Sequence, residues 1–290
     1  MNRHVSWRFV DVARRSPMGV IGALVLIVIA IAASFPDLLT SVGPLDQDVP
    51  NRLRGPGTSF LFGTDGSGRD VFSRIVHGAR VSLYVGVAAV VVSVVAGTGL
   101  GITSAAIGGK MDLILQRFVD AILGIPFLLL AVVVVVSLGS SVNTVVIALA
   151  FAYTPQVARL ARATAMSIMA EPYVLAARLE GASIRRIIVW HLLPNTYSPV
   201  LAQATGFFGS ALVAEAILSF LGLGVPPPDP SWGRMIQEGS RLYLEVAPWL
   251  TIIPGLVLTV TVLTFLFVAD AVRDLLDPRE ARSYRGEPTL

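Results

Sequence analysis

Six stretches of this sequence are continuously apolar over something near the 20 residues that a helix needs to cross the hydrocarbon core of a bilayer. They cover residues 18–35, 81–107, 121–137, 142–158, 199–223 and 248–269. None alternates apolar and polar residues in the two-residue period of a membrane strand, so a β-barrel is disfavoured. The chain is therefore expected to be all-α, a polytopic membrane protein with six transmembrane helices. Composition agrees: 54% of the 290 residues are hydrophobic, only 14% are charged, and the mean hydropathy is +0.74. An ordinary soluble domain carries about 25% charged residues. The third and fourth runs are separated only by residues 138–141, LGSS, which predicts a tight helical hairpin.

Lysine and arginine in short loops set the orientation of such a bundle. Arg3, Arg8, Arg14 and Arg15 precede the first run, Lys110 and Arg117 lie between the second and third, and Arg159, Arg162, Arg178, Arg185 and Arg186 follow the fourth. Those segments are expected to be cytoplasmic, and an even number of spans returns the C-terminal Arg273, Arg279, Arg282 and Arg285 to the same side. The expected organisation is a cytoplasmic segment 1–17, a first span 18–35 and an extracytoplasmic segment 36–80. A five-helix core 81–270, with a cytoplasmic segment 159–195 inside it, and a cytoplasmic tail 271–290 complete it. The first run exceeds the 7–15 residues of a signal-peptide core, which favours an uncleaved anchor. The outer segment balances five arginines against five aspartates and so votes weakly on orientation. Net charge is +3, and its basic residues are dispersed, unlike the continuous stripe of a nucleic-acid binder.

Several chemistries find no support. The single lysine, Lys110, has Ser104 where a phosphate-binding loop needs its first glycine and Met111 where it needs serine or threonine. The GTGLG of residues 97–101 places Ile102 at the third glycine position of a dinucleotide loop, and close helix packing through small residues explains it better. DGSGRD, residues 65–70, opens like a calcium loop, but Asp70 and Val76 stand where the turn glycine and closing glutamate belong. His4, His77 and His191 all fall outside the apolar runs, which leaves no intramembrane histidine for a serine nucleophile and no grouped metal ligands. With no cysteine in the chain, disulfide and thiolate chemistry are absent. No catalytic, cofactor-binding or metal site is expected.

Two acidic residues enter or border the spans. Glu215 lies nine residues before Gly224, roughly 13 Å along a helix, which places it near mid-membrane. A carboxylate there must face the bundle interior or a wet cavity, so it is either a translocation-path residue or an interhelical hydrogen-bonding group. Asp270 closes the sixth run.

One charged segment interrupts the apolar pattern: YVLAARLEGASIRRIIVWHLLPN, residues 173–195. Glu171-Pro172 starts a helix well, since proline loses nothing at the first position and acidic charge suits the positive end of the dipole. A short helix is expected over 172–180, broken by Gly181, with Ser183 capping a second helix whose end Pro194 follows. The product is a helix-turn-helix elbow. Its charge could lay it on anionic headgroups. Alternatively, the small residues Ala176, Ala177, Gly181 and Ala182 form a smooth knob suited to a groove on another protein.

The spacing of this segment resembles the EAA loop of ABC-transporter permeases, in which Glu-Ala-Ala is followed after three residues by Gly and after nine more by Ile-x-Leu-Pro. Ala176, Ala177, Gly181, Leu193 and Pro194 match, while Leu175 stands at the glutamate position and His191 at the isoleucine position. FGTDGSGRDVFSRIVHGARVSL (62–83), EAILSFLGLGVPPPDPSWG (215–233) and RDLLDP (273–278) are similar to the dipeptide, oligopeptide and nickel group of importers, closest to its C-type permease. The resemblance implies a type I ABC-importer permease fold in the cytoplasmic membrane. It also implies a second homologous permease, two cytoplasmic ATPase domains carrying ATP and magnesium, and an extracytoplasmic solute-binding protein. Tyr173, Ala176, Ala177, Arg178, Glu180, Gly181, Ala182, Ser183, Leu193 and Pro194 would then be the coupling site for the ATPase. Peptides are the expected cargo, with nickel as the alternative within that group. An ATP-independent secondary transporter using Glu215 is the rival from outside it.

Overall fold

The computed structural model describes residues 16–276. Helix α1 spans Pro17–Ser34 and is followed by the short α2, Pro36–Leu39. A cap built on a single 3-10 turn, Val49–Asn51, leads to the long α3, Val71–Ile107. Then come α4 (Gly109–Leu123), α5 (Phe127–Leu138), α6 (Val142–Met169), α7 (Pro172–Leu179) and α8 (Ile184–Ile187). A five-residue π turn, Ile188–Leu192, joins α8 to α9 (Leu193–Phe220), and α10 (Trp232–Leu242) and α11 (Trp249–Leu276) close the fold. No strand occurs among the described residues, as an all-α bundle requires. The basic N-terminal residues before Ser16 and the arginines after Leu276 lie outside the described residues.

Among the described residues, five helices are long and apolar enough to cross a membrane, and a sixth crossing is formed only if α4 and α5 are taken together. The expected third span, 121–137, is not one straight helix. Its chain turns by 92° between α4 and α5. Pro126 forces this break, because it lacks an N–H and disfavours helical geometry at Ile125 before it. What remains, α5, has 12 residues and a length of about 18 Å, well short of a hydrocarbon core of about 30 Å. Helix α4 is instead amphipathic and is tied down by polar contacts. The Asp112 carboxylate accepts from Arg162 Nε at 2.7 Å, and Gln116 Nε2 donates to Ser104 Oγ at 3.1 Å.

Helix α3 has 37 residues, about 56 Å of helix, and begins ten residues before the expected second span. Asp70 caps it, its side chain accepting from Ser73 N at 3.1 Å. Arg74, His77 and Arg80 interrupt the apolar run here without interrupting the helix. Helix α6 packs closest to α3, and glycine permits it. A Cβ on Gly97 would lie 2.6 Å from Val157 Cβ, and one on Gly101 would lie 2.3 Å from the Ala158 carbonyl oxygen, whereas one on Gly99 would meet open space. The GTGLG motif is thus a packing device.

The bundle core is shared by α3, α5, α6 and α9, where Val85, Ala89, Val135, Leu149, Tyr153 and Leu218 interlock. Phe127, Tyr153 and Phe207 stack in series through this core, with ring centroids 4.5 and 4.7 Å apart. Helix α1 lies outside it against α11: Gly19 abuts Ala271, and Gly22 abuts Thr264 and Phe267. Most of the remaining α1 surface is exposed and apolar, as suits a helix facing lipid.

Candidate functional site

The two ends of α3 carry the features that the sequence singled out: a helical elbow at one end, and a charged cap with a buried clamp at the other. At the elbow, α7 ends on Gly181, whose φ of +85° lies in the left-handed region. Gly181 N donates to Arg178 O and Ala182 N to Ala177 O, both at 3.0 Å, the pair of bonds that closes a Schellman motif. Ser183 then caps α8 by accepting from Arg186 N at 3.3 Å. Both are as the sequence predicts.

Pro194 behaves differently from expectation. It does not follow a helix end; it sits in the first turn of α9, and the chain runs through it without a stop. The π turn makes this possible. Leu193 N reaches back five residues to Ile188 O, which widens the helix where the proline ring would otherwise crowd the carbonyl of Trp190. Asn195 Nδ2 donates to His191 O at 2.6 Å and occupies a carbonyl left over by the change of register.

Three side chains anchor the elbow. Val174, Ile187 and Leu192 are buried against Ile102, Ala105, Ala165 and Ile168 of the α3 and α6 ends. The remainder faces outward: Tyr173, Ala176, Arg178, Glu180, Gly181, Ser183, Leu193 and Pro194 are exposed, and Ala177 and Ala182 are half-buried. The Tyr173 and His191 rings, 5.8 Å apart, bridge the two arms. Sequence reasoning stressed the small residues and missed the bulky ones between them. Leu179 is 90% exposed and Trp190 72% exposed. Large apolar residues inside a charged segment were the available signal.

Glu215 points into a sealed junction at the other end of the bundle. It is 0% exposed. Its carboxylate accepts from Ser219 Oγ at 2.7 Å on its own helix and from Ser82 Oγ at 3.3 Å on α3. Ser231, the cap of α10, donates to Ser219 Oγ at 3.4 Å, and Trp232 Nε1 donates to Ile75 O at 3.0 Å. Two glycines let the loop close on this junction. A Cβ on Gly224 would lie 1.8 Å from Ser219 Oγ, and one on Gly233 2.5 Å from Ala216 Cα. Residues 215–233 therefore form one clamp joining α9, α10 and α3.

Beside the clamp lies an ion network that the sequence did not bring together. Arg69 Nε contacts Asp65 at 2.7 Å, Arg234 Nε contacts Glu238 at 2.9 Å, and the buried Arg74 lies 3.5 Å from Asp65 and 3.3 Å from Glu238. The Asp65 carboxylate also accepts from Ser67 N at 2.8 Å and Arg69 N at 3.0 Å, so protein donors fill the loop that a calcium ion would need.

Comparison with known proteins defines the class. Residues 97–282 match the family described as the binding-protein-dependent transport system inner membrane component. The chain belongs to that family and is a multi-pass membrane protein. It is similar to a dipeptide transport system permease protein, DppC, of Alkalihalophilus pseudofirmus, 39% identical over 92% of this chain and 87% of that one. A putative peptide transport system permease of Brucella suis is 42% identical over 89% of this chain and 87% of its own. A probable D,D-dipeptide transport system permease of Escherichia coli is 35% identical over 94% and 91%. Among solved structures, an amino acid ABC transporter with histidines superposes with a TM-score of 0.53 at 19% identity, covering 69% of this chain and 93% of that one. The last likeness speaks for the fold alone.

Proposed function

We propose that this chain is the transmembrane permease subunit of an ATP-driven ABC importer that carries di- and oligopeptides across the cytoplasmic membrane. Its termini and elbow face the cytoplasm, and the cap faces outward. It works with a second homologous permease, two ATPase domains that bind ATP and magnesium, and a solute-binding protein that delivers cargo. ATP hydrolysis belongs to the ATPases, and this chain performs no covalent step. Relatives named for peptide transport, matched along nearly their whole length, support the cargo.

The observation that carries the reading is the elbow. An exposed turn fixed by a left-handed glycine and flanked by outward Tyr173, Leu179 and Trp190 has the rigidity and apolar content of a protein-docking element. Its anchors reach the ends of α3 and α6, so a push on the elbow moves the spans between two bundle states. Glu215 is assigned to holding α9 against α3, and full burial with two serine donors supports that role over contact with cargo. The test is uptake of a labelled dipeptide into proteoliposomes holding the complete complex and its binding protein. Uptake is expected only with ATP and both ATPases. Uptake that persists without them, or that a proton gradient alone drives, overturns the reading in favour of a secondary transporter.

A further inference from the structure

The cap contains a half-enclosed cavity of about 290 Å³, floored by the ion network and walled on one side by Val71, Met235 and Leu250. Its lining is charged unequally: three guanidinium groups, Arg69, Arg74 and Arg234, face two carboxylates, Asp65 and Glu238. Three less two leaves one positive charge unmatched among the lining residues.

The individual contacts locate that excess. Asp65 accepts from two backbone N–H groups and Arg69 Nε, and its Oδ2 lies 3.5 Å from Arg74 Nη1. Glu238 takes Arg234 Nε at 2.9 Å and Arg74 Nη2 at 3.3 Å. Arg74 is 1% exposed, and its Nη1 makes no hydrogen bond, only the 3.5 Å ion pair with Asp65. A guanidinium so deprived of water is stable only beside compensating negative charge, which Asp65 and Glu238 supply to Arg74. Arg69 commits Nε alone to a hydrogen bond, its Nη2 lying 3.8 Å from Glu238. Its terminal nitrogens make no hydrogen bond among the described residues, and Arg74 lines the same cavity as a second, buried positive charge. A planar fork of donors over a partly enclosed site suits a carboxylate, and the apolar wall suits the side chain next to it. The volume is that of roughly ten waters, enough for the end of a short peptide but not for a folded segment.

We propose that this cavity is a carboxylate pocket, in which the free C-terminus of a short peptide rests on Arg69 between release from the binding protein and entry to the bundle. The assignment rests on the peptide-importer reading. The same chemistry could be supplied by an acidic side chain of the binding protein, so the test separates the two sources.

The complete transporter in lipid nanodiscs, without binding protein, is titrated with dialanine and with dialanine amide and followed by saturation-transfer NMR. Dialanine is expected to bind about tenfold more tightly than the amide, the usual loss for one charge-assisted contact. Arg69→Gln should abolish the preference. Leu242→Trp, at a well-exposed position on the cavity rim, should block binding without touching the ion network. Equal binding of acid and amide, or undiminished binding in Leu242→Trp, overturns the proposal. So does an absence of dialanine binding with weakened docking of the binding protein to Leu242→Trp, an outcome that gives the pocket to that protein's acid. ATP-driven dipeptide uptake, measured on the same preparations with binding protein added, separates these failures from failure of the importer reading: uptake stays normal if only the pocket is wrong.

Discussion

Gly181 and Glu215 show how differently two residues of one chain can be constrained. Nothing lies within 4 Å of a Cβ placed on Gly181, so the constraint there is backbone conformation and not space. Gly181→Ala should cost about 1–2 kcal/mol of local stability, the penalty of a left-handed L-residue. Gly181→Arg adds bulk at the proposed docking turn and should cut transport about tenfold while ATPase activity continues, as a dual assay of hydrolysis and uptake would read. Unchanged transport would remove the case for docking. At Glu215 the constraint is hydrogen bonding in a sealed site. Glu215→Ala should lower thermal stability by about 1–3 kcal/mol, since Ser82 and Ser219 lose their acceptor. Glu245→Ala, at an exposed position, should be neutral by the same melt. Gly181 and Ser183 were legible in the sequence because caps and left-handed turns depend on near neighbours. The partners of Glu215 were not, because Ser82 is 133 residues away.

Individual elements were legible in proportion to how local their causes are. The apolar runs marked the bundle, but the start of α3 escaped because charge was taken to end a helix. Arg74 lies inside α3 with its charge buried in a network assembled from α10 and the cap loop, which no local reading could supply. Pro126 and Pro194 make the same point in opposite senses. Pro126 breaks a run that looked continuous, whereas a π turn carries the helix past Pro194, where a stop was expected. Within α3, the alternating glycines make a sharp test. Gly101→Val should destabilise the bundle by about 3 kcal/mol or more through collision with the Ala158 carbonyl, while Gly99→Val should be silent. Limited proteolysis of the two variants in nanodiscs would separate them, and equal sensitivity would refute the packing role.

At the scale of the whole molecule, orientation is the property most open to direct measurement. The chain has no cysteine, so single-cysteine reporters need no background removed. Gly181→Cys should label from the cytoplasmic side and Leu242→Cys from the outer side, and the reverse pattern would invert the topology. Six-fold spanning was legible only in outline, because the expected third crossing is a pair of helices, α4 and α5, set at 92° and not a rod. Helix α3, by contrast, is a rod in full. One end carries Arg74 under the cap, and the other carries Ile102 and Ala105 beneath the elbow. Its closest approach to α6, at Gly97 and Gly101, lies toward the elbow end. A stiff beam supported off-centre moves its far end further than its near end. On the proposed coupling role, a small tilt imposed at the elbow would become a larger sweep at the cap end, with a mechanical advantage set by where two glycines fall along 37 residues.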